Sequence, residues 1–375
     1  MKKIILFGAS GNIGQKVLEI IKHNSSYTLV AFSVGLKDYL VEEILNNFKF
    51  VKIVYAINIK KYWQIKYPHI LFVNDDICKL FDVDTNCVIN ALSGFIGFKV
   101  TIKALQQKKL LLNANKESFV VGGNLINDLQ SEYKTKIYPI DSEHCAIWQC
   151  LEKNNNIKEI YITASGGPFK DFSLNETKNV TLNDALRHPT WNMGQKITID
   201  SATMFNKAFE IIEAFHLFKT NKIKTLIHSQ SIIHSMVLFE DNAIKAQLSV
   251  PDMHQVINYF LTYPKRVPLK NQKQLNFKNL ISLDLQEIDQ KRFLPVAMAM
   301  ECLNEYNTKS IAMNAANEIC VAAFLEKEIT FFSITKIVYE IFKTVKNEKL
   351  STYNEIYEFD QDIRKKTLHK IKGVV

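Results

Sequence analysis

The chain lacks the cysteine patterns that would indicate a disulfide framework or a zinc ribbon. Its six cysteines contain no C-x-x-C pair, so we expect reduced thiols and a cytoplasmic protein. No apolar run approaches the roughly 18 residues that a membrane span requires, and Gly8 interrupts the first apolar run. We therefore expect neither a signal peptide nor a membrane partner.

Dense basic blocks are also missing, although the formal net charge is +9. The lysines are scattered, and neither zinc-finger spacing nor an RNP-like aromatic motif accompanies them. We therefore expect no nucleic-acid partner, and a phosphorylated substrate or cofactor would account for the positive charge. With 375 residues, 47% of them apolar and 23% charged, the chain is expected to be soluble and to form two or three domains.

The N-terminus has the order strand, glycine-rich turn, helix. Residues 1–7 predict a buried strand, and the apolar spacing of residues 15–22 predicts a helix. Between them the glycines follow the pattern G-x-x-G-x-x-G, which allows backbone amides to approach a pyrophosphate. The predicted cofactor contacts are Gly8, Ala9, Ser10, Gly11, Asn12, Ile13 and Gly14.

A second strand, residues 28–32, is predicted to end near the adenosine ribose. An NAD enzyme usually places an acidic residue there, whereas this chain has Gly35 and Lys37. A glycine and a lysine suit a 2′-phosphate, so we expect NADP(H). The alternative for Lys37 is a solvated loop lysine.

Apolar strands and helical segments continue to alternate through the N-terminal third. A strand at 110–112 leads to Asn115-Lys116-Glu117. Ligands of open α/β sheets bind at the carboxyl ends of the strands, so Lys116 is a candidate to hold a substrate oxygen. An ordinary surface lysine at a helix start is the alternative.

Two acids, Asp141 and Glu143, follow an apolar stretch at 136–138 that predicts a strand. Residues i and i+2 of a strand point to the same side, so we expect the two carboxylates to converge. Their repulsion would be relieved by a hard divalent cation, Mg²⁺ or Mn²⁺. Two solvated acids at a strand end are the alternative.

A long helix is predicted from about residue 204 to 218, with Asp200 or Ser201 as its N-cap. Residues three or four apart share a helix face. This face predicts a phosphate site and a third metal carboxylate, formed by Ser201, Asn206, Lys207 and Glu210. A solvated face of mixed charge is the alternative.

Two loops are candidates for further ligand contacts. Ser165-Gly-Gly after a predicted strand can form an anion-binding nest, although a simple turn is the alternative. The loop 186–196 carries His188, Trp191 and Met193, which suggests a lid over a ligand. A buried Trp191 in the core is the alternative.

These motifs together resemble the 1-deoxy-D-xylulose 5-phosphate reductoisomerase family. They extend over almost the whole chain and are specific because they are long and ordered as in the family. The matching stretches are residues 8–14, 115–118, 139–144, 164–169, 187–194, 200–207, 230–236, 251–253 and 314–318.

The resemblance implies NADPH- and divalent-metal-dependent rearrangement and reduction of 1-deoxy-D-xylulose 5-phosphate to 2-C-methyl-D-erythritol 4-phosphate, in non-mevalonate isoprenoid synthesis. It implies a homodimer as well. The metal ligands it implies are Asp141, Glu143 and Glu210. The substrate and lid residues are Lys116, Ser142, Ser165, His188, Trp191, Met193, Ser201, Asn206 and Lys207, and the cofactor residues include Asn115, Glu117 and Met253.

The fold class implied is α/β, with an N-terminal Rossmann-like dinucleotide-binding domain, a central α/β catalytic domain and a C-terminal helical bundle. We expect the cofactor domain at 1–142, the catalytic domain at 143–270, a linker at 271–290 and the helical domain at 291–375. Helical apolar spacing at 293–306, 311–326, 333–346 and 354–372 predicts the helices of the last domain.

Departures from the family pattern leave two rival hypotheses. Cys145 and Ser229 stand where the family commonly has Asn and Pro, and the stretch around Gly35 does not match its usual Gly-Lys-Asn pattern. One rival is a semialdehyde dehydrogenase with Cys145 as nucleophile beside His144. The other is an NADP-binding sensor without catalysis, against which the three carboxylates argue.

Overall fold

The structure is a computed structural model that describes residues 1–173, 175–188, 190–191, 193–270, 272–278 and 282–373. Pro189 and Asn192 of the predicted lid lie outside the described residues. The same holds for residues 271 and 279–281 of the predicted linker and for the last two residues of the predicted helical domain.

The described strands, in chain order, are β1 Lys2–Phe7, β2 Tyr27–Val34, β3 Ile53–Ala56, β4 Leu71–Val73, β5 Cys87–Asn90, β6 Leu110–Asn113, β7 Ile137–Pro139, β8 Ile157–Ala164, β9 Ile223–Ile227, β10 Ile233–Phe239, β11 Ile244–Leu248 and β12 Gln286–Glu287.

The described α-helices are α1 Asn12–Lys22, α2 Leu40–Asn47, α3 Lys61–Lys66, α4 Ile96–Gln106, α5 Lys116–Tyr133, α6 Ser142–Cys150, α7 Leu182–Ala185, α8 Gln195–Thr203, α9 Phe205–Phe218, α10 Met253–Thr262, α11 Leu294–Glu301, α12 Thr308–Leu325, α13 Phe331–Thr344 and α14 Tyr353–Lys372. Short 3₁₀ helices occur at Ile77–Asp82 and Glu176–Asn179.

The chain divides into two compact units. The first unit contains Met1–Ser118, Ile126–Asp141 and Asp252–Gln272, and the second contains Phe119–Leu125, Ser142–Pro251 and Lys273–Val375. The three-domain boundaries expected from the sequence stay a prediction.

The first unit is built on a parallel sheet of seven strands in the order β4-β3-β2-β1-β5-β6-β7. Strands such as β1 and β5 are buried along most of their length, as expected when helices cover both faces of a parallel sheet. The strand order reverses at β1, between β2 and β5. Ligands of open α/β sheets bind at such a switch point, and the glycine-rich turn follows β1 directly.

Glycine is required at two positions of this turn. Gly8 has φ of +80°, and a Cβ there would lie 2.5 Å from the carbonyl oxygen of Ala91. A Cβ on Gly14 would lie 2.2 Å from the carbonyl oxygen of Gly8. The turn therefore packs closely against β5 and α1, as the sequence pattern predicted.

The second unit contains a five-stranded sheet in the order β11-β10-β8-β9-β12. Strands β8 and β9 are parallel, whereas β10 is antiparallel to both β8 and β11. The core of this unit joins β8 and α9 to the C-terminal helices, because Ile162, Phe209, Val296 and Val338 belong to one buried cluster.

The C-terminal helices follow the predicted periodicity with one exception. Helices α12, α13 and α14 match the predicted segments 311–326, 333–346 and 354–372. The first segment, predicted as 293–306, is helical only to Glu301. Asn304 Oδ1 accepts a hydrogen bond from the amide of Tyr306 at 2.9 Å, and such local bonds compete with a continuing helix.

The predicted strand that carries Asp141 and Glu143 on one face is wrong. Strand β7 ends at Pro139, and α6 begins at Ser142. Asp, Ser and Glu are favoured at helix starts, and a glutamate in the first turn interacts well with the helix dipole. This preference ends the strand before the two acids.

Among the described helices, none combines the length and the apolar character that crossing a bilayer requires.

Replacing Gly14 by alanine should destabilise the first unit. The added methyl group meets backbone atoms rather than a movable side chain, and overpacking of this kind costs about 1–3 kcal/mol. Thermal and urea unfolding without ligand measure the effect. The matched control is Gly35→Ala, where a Cβ would meet nothing within 4 Å. Equal stability of the two variants would contradict the close packing of the turn.

Candidate active site

The glycine-rich turn presents backbone amides in an ordered arrangement. The amide of Gly8 donates to Ser33 Oγ at 2.8 Å, and the amide of Ala9 donates to the carbonyl of Ser33 at 2.8 Å. Gly11 and Asn12, at the N-terminus of α1, are exposed. A helix N-terminus that is held rigidly and open to solvent can bind an anion such as a pyrophosphate.

The segment after β2 continues this surface. The amide of Gly35 lies 3.4 Å from Ser10 Oγ, so the two predicted cofactor segments meet. Lys37 is exposed, which leaves its ammonium group accessible to a phosphate. Its role as a 2′-phosphate contact stays a prediction.

Asn115 and Glu117 brace the loop that follows β5. The Asn115 side chain caps α5 through the amide of Ser118 at 3.0 Å and donates to the carbonyls of Leu92 and Gly94. Glu117 Oε1 accepts the amide of Gly94 at 3.0 Å. Both side chains are buried, and their hydrogen bonds hold the loop at residues 92–94. Their contact with the cofactor stays a prediction.

Lys116 and Asp141 form a buried ion pair. Lys116 Nζ lies 2.6 Å from Asp141 Oδ2, and their side chains are only 8% and 9% exposed. Lys116 begins α5 directly after β6, at the carboxyl edge of the sheet, where the sequence placed it. Met253 begins α10 in the same unit, behind the N-cap Asp252.

In the second unit, Glu143 and Glu210 face one lysine. Lys207 Nζ lies 2.8 Å from Glu143 Oε1 and contacts Glu210 and the carbonyl of Thr163. The ammonium group thus donates to Glu143 and to the Thr163 carbonyl and forms an ion pair with Glu210. Burial alone would lower the pKa of Lys207, but the two carboxylates outweigh it and raise that pKa above its usual value.

Helix α9 carries three of the predicted polar residues, Asn206, Lys207 and Glu210. The predicted N-cap of this helix, Asp200 or Ser201, is wrong. Asn206 Nδ2 donates to Glu210 Oε1 at 2.6 Å. Asp200 and Ser201 lie in the last turn of α8 rather than before α9. The left-handed conformation of Met204, with φ of 69°, separates the two helices. Hydrophobic spacing did not reveal this break, because the apolar residues continue across it.

His144 supports the backbone of α9. Its Nε2 lies 2.9 Å from the carbonyl oxygen of Glu210, and its Nδ1 lies 3.4 Å from Glu213. Cys145 is buried, and its sulfur accepts a hydrogen bond from Gln149 at 3.2 Å. Both nitrogens of His144 are thus directed at α9, so the structure does not favour a Cys145–His144 nucleophilic pair.

Two predicted substrate residues, Ser165 and Ser201, converge on the imidazole of a third, His188. His188 Nε2 lies 3.2 Å from Ser165 Oγ and 3.1 Å from Ser201 Oγ. Its Nδ1 accepts the amides of Thr190 and Trp191, so the ring proton is on Nε2. Burial lowers the pKa of His188, and the neutral ring therefore offers an N–H to this cluster.

The predicted glycine nest beside Ser165 has the required backbone. Gly166 and Gly167 have φ of +86° and +68°, and successive amides in such conformations form an anion-binding concavity. A Cβ on Gly167 would lie 2.8 Å from the carbonyl oxygen of Ser201. The turn is thus pressed against the backbone at the end of α8.

The described part of the predicted lid lies next to this cluster. Trp191 and Met193 are half-buried, and the Trp191 ring is 6.3 Å from the ring of His234. Burial lowers the pKa of His234 to about 4. Sequence reasoning did not select His234 or Thr163, because both lie in strands whose apolar pattern predicts only core. The lid function stays a prediction.

Three family models that match this chain all describe the same enzyme family. The family described as 1-deoxy-D-xylulose 5-phosphate reductoisomerase matches residues 4–123. Its C-terminal domain families match residues 137–218 and 248–366.

Curated relatives match over the full length. The 1-deoxy-D-xylulose 5-phosphate reductoisomerase of Phocaeicola vulgatus is 38% identical over 377 residues, with 98% of each chain covered. A second reductoisomerase, from Bacillus thuringiensis subsp. konkukian, is 39% identical and covers 99% of this chain and 100% of the relative.

Solved structures agree. The Zymomonas mobilis reductoisomerase in complex with NADPH has a TM-score of 0.89 at 34% identity and covers 99% of both chains. A DOX-P reductoisomerase in complex with NADPH, fosmidomycin and magnesium has a TM-score of 0.92 at 32% identity, covering 99% of this chain and 98% of that one. The expected fold class is confirmed by these similarities.

Replacing Lys207 by methionine should strongly destabilise the second unit. The change leaves the buried Glu210 and the half-buried Glu143 without their cation, and removing one partner of a buried ion pair costs about 3–5 kcal/mol. Urea unfolding in the presence of a chelator measures the loss. The control is Lys224→Met, because the Lys224–Glu159 pair is exposed on the lysine side and such pairs contribute about 0–1 kcal/mol. A similar small loss for both variants would refute the role of Lys207.

Proposed function

The chain belongs to the 1-deoxy-D-xylulose 5-phosphate reductoisomerase family, and we propose the following function for its site. It converts 1-deoxy-D-xylulose 5-phosphate to 2-C-methyl-D-erythritol 4-phosphate with NADPH and a divalent metal, Mg²⁺ or Mn²⁺. This is a step of isoprenoid biosynthesis. The observation that carries the proposal is the pairing of Glu143 and Glu210 through Lys207, close to residues suited to phosphate.

The residues of the first unit suit a dinucleotide. In the turn from Gly8 to Gly14, glycine occupies the two positions at which a Cβ would collide with backbone atoms. The start of α1 is exposed and can receive a pyrophosphate. Gly35 and Lys37 then receive the 2′-phosphate side of NADPH, and Met253 contacts the nicotinamide. Asn115 and Glu117 act here by holding the loop at 92–94.

Hard oxygen donors suit a divalent metal. A carboxylate oxygen of Glu143 and one of Glu210 lie within 4.8 Å of each other, a separation that one cation can bridge. Asp141, two residues before Glu143, completes the ligand set. When bound, the metal polarises two substrate oxygens for the carbon–carbon rearrangement, and NADPH supplies the hydride.

The phosphate of the substrate is held by the cluster around His188. Ser165 and Ser201 offer hydroxyls and the neutral His188 offers its Nε2–H, and the amide of Gly167 lies 3.4 Å from Ser165 Oγ. Asn206 and Lys207 add an amide and a cation from α9. These groups bind and orient the phosphate, which is remote from the reacting carbons.

The remaining residues position and cover the sugar. Lys116 holds a substrate oxygen from the carboxyl edge of the parallel sheet, and Ser142, at the start of α6, makes a further contact. Trp191 and Met193 close over the substrate and exclude water.

The protein acts as a cytoplasmic homodimer in this proposal. Strand β11 is at the edge of its sheet, and Ile244 and Leu248 on it are 54% and 36% exposed. An open edge strand with apolar side chains is suited to pairing with a second copy. The six cysteines all lie in the described residues and none forms a disulfide, which agrees with a reducing compartment. Recovery of the protein only from an oxidising compartment would argue against it.

The dimer is tested by replacing Ile244 and Leu248 with glutamate. The added charges should repel the second copy, and light scattering should then give a monomer mass of about half the wild-type value. Ile65→Glu, which alters a side chain 81% exposed in the first unit, is the matched control. A wild-type chain that is monomeric at micromolar concentration would contradict the proposal.

The activity is tested by following NADPH oxidation with 1-deoxy-D-xylulose 5-phosphate. We expect turnover with Mg²⁺ or Mn²⁺ and its loss with a chelator. Asp141→Asn and Glu143→Gln should lower kcat at least about a hundredfold, because removing a metal ligand removes the charge that stabilises the transition state. Their Kd for NADPH should stay within about twofold, since the cofactor contacts lie elsewhere.

The control for this experiment is Asp84→Asn, which changes an exposed acid of the first unit. It should behave as wild type. A parallel fall in NADPH affinity and turnover would show that metal and cofactor sites are not separate, and absence of wild-type turnover would refute the proposed activity.

A further inference from the structure

Two short segments of the second unit supply the hydroxyls around His188, and residues from the C-terminal part of the chain hold both segments. Ser165 belongs to the glycine turn after β8, and Ser201 belongs to the last turn of α8. Neither turn is rigid by itself, because one contains two adjacent glycines with positive φ and the other ends a helix. Glycine loses more conformational freedom on ordering than any other residue, so outside contacts are needed to fix the hydroxyls.

Arg292 fixes the glycine turn. Its guanidinium group donates to the carbonyl of Phe169 at 2.6 Å and to the carbonyl of Lys170. These carbonyls follow Gly167 by two and three residues. Because the donors of a guanidinium form a rigid fork, the two bonds fix the position and the direction of the chain segment that leaves the turn. The guanidinium also lies 4.7 Å from the centre of the Phe293 ring, which holds it in place.

Asn317 fixes the end of α8. It is fully buried in α12, and its Nδ2 donates to Asp200 Oδ1 at 2.7 Å. The other oxygen of Asp200 pairs with Lys196 at 2.7 Å. Since Asp200 is the residue before Ser201, these bonds set the rotation of the last turn of α8 and hence the direction of the Ser201 hydroxyl.

The two fixed segments touch each other. The missing Cβ of Gly167 would lie 2.8 Å from the carbonyl oxygen of Ser201, and both hydroxyls reach the same nitrogen of His188. A shift of either segment therefore separates hydroxyls that must act on one phosphate.

We infer that Arg292 and Asn317 are positioning residues for substrate phosphate, through which the C-terminal helical part of the chain controls affinity for phosphorylated substrate. The inference rests on the proposed function. Neither residue touches the phosphate. They act through the carbonyls at 169–170 and through Asp200, and they set the spacing between Ser165 and Ser201.

The first test replaces Arg292 by methionine and by lysine and measures steady-state kinetics with 1-deoxy-D-xylulose 5-phosphate. Misplaced phosphate contacts should raise KM roughly ten- to a hundredfold, while kcat stays within about threefold because the phosphate is remote from the reaction. Arg292→Lys should be intermediate, since an ammonium can reach one carbonyl but lacks the fork. Lys291→Met, an exposed neighbour, is the matched control.

The second test replaces Asn317 by leucine, which keeps its size and burial but removes the donor to Asp200. Its matched control is Asn314→Leu, one turn earlier in α12. Asn314 is equally buried but donates to Glu318 in its own helix at 3.0 Å. Thermal unfolding of both variants reports their folding, and only Asn317→Leu should raise KM.

Two further measurements separate positioning from general damage. The Kd for NADPH should be unchanged in all variants, and the inhibition constant of inorganic phosphate should rise with KM. A fall in kcat without a rise in KM, or equal effects in Asn314→Leu and Asn317→Leu, would overturn the inference. A wild-type protein that does not turn over the substrate would instead refute the proposed function.

Discussion

The repulsion between two closely spaced carboxylates is the constraint on which the site depends. Glu143 and Glu210 are carried by different helices, and their oxygens approach within 4.8 Å. A pair of like charges this close is stable only if a cation or a proton intervenes. Lys207 supplies the cation, from a position three residues before Glu210 on the same helix. The contacts of Lys207 therefore join α6, α9 and the end of β8 at the site.

Local features of the sequence predicted local parts of this arrangement. The glycine turn, the helix after it and the end of β6 depend on backbone sterics and apolar periodicity within a few residues, and the structure has them where expected. The contact between Asn206 and Glu210 likewise depends only on helical spacing.

Other features of the site could not be predicted from local apolar spacing in the sequence. A D-x-E pattern after an apolar run suits either a strand or a helix start, and the hydrogen bond from the amide of Ile140 to Asn113 marks where strand pairing ends. The break at Met204 is hidden because apolar residues continue on both sides. The buried role of Asn115 became visible only with the carbonyls of Leu92 and Gly94 in place. For Asn115 the deciding partners lie outside the window that periodicity covers, whereas the helix start at Ser142 and the break at Met204 are local features that apolar spacing does not record.

The contacts of Lys207 also bear on how charge is shared between metal and substrate. Its ammonium donates to Glu143 and to the carbonyl of Thr163 and is paired with Glu210, so a bond to phosphate competes with these contacts. Releasing a carboxylate leaves a buried charge that another cation must balance. Lys116 is likewise paired with a carboxylate, that of Asp141. Each lysine that we propose to hold substrate is thus paired with a carboxylate that we propose to hold the metal, and anionic substrate and divalent cation should therefore bind with positive cooperativity.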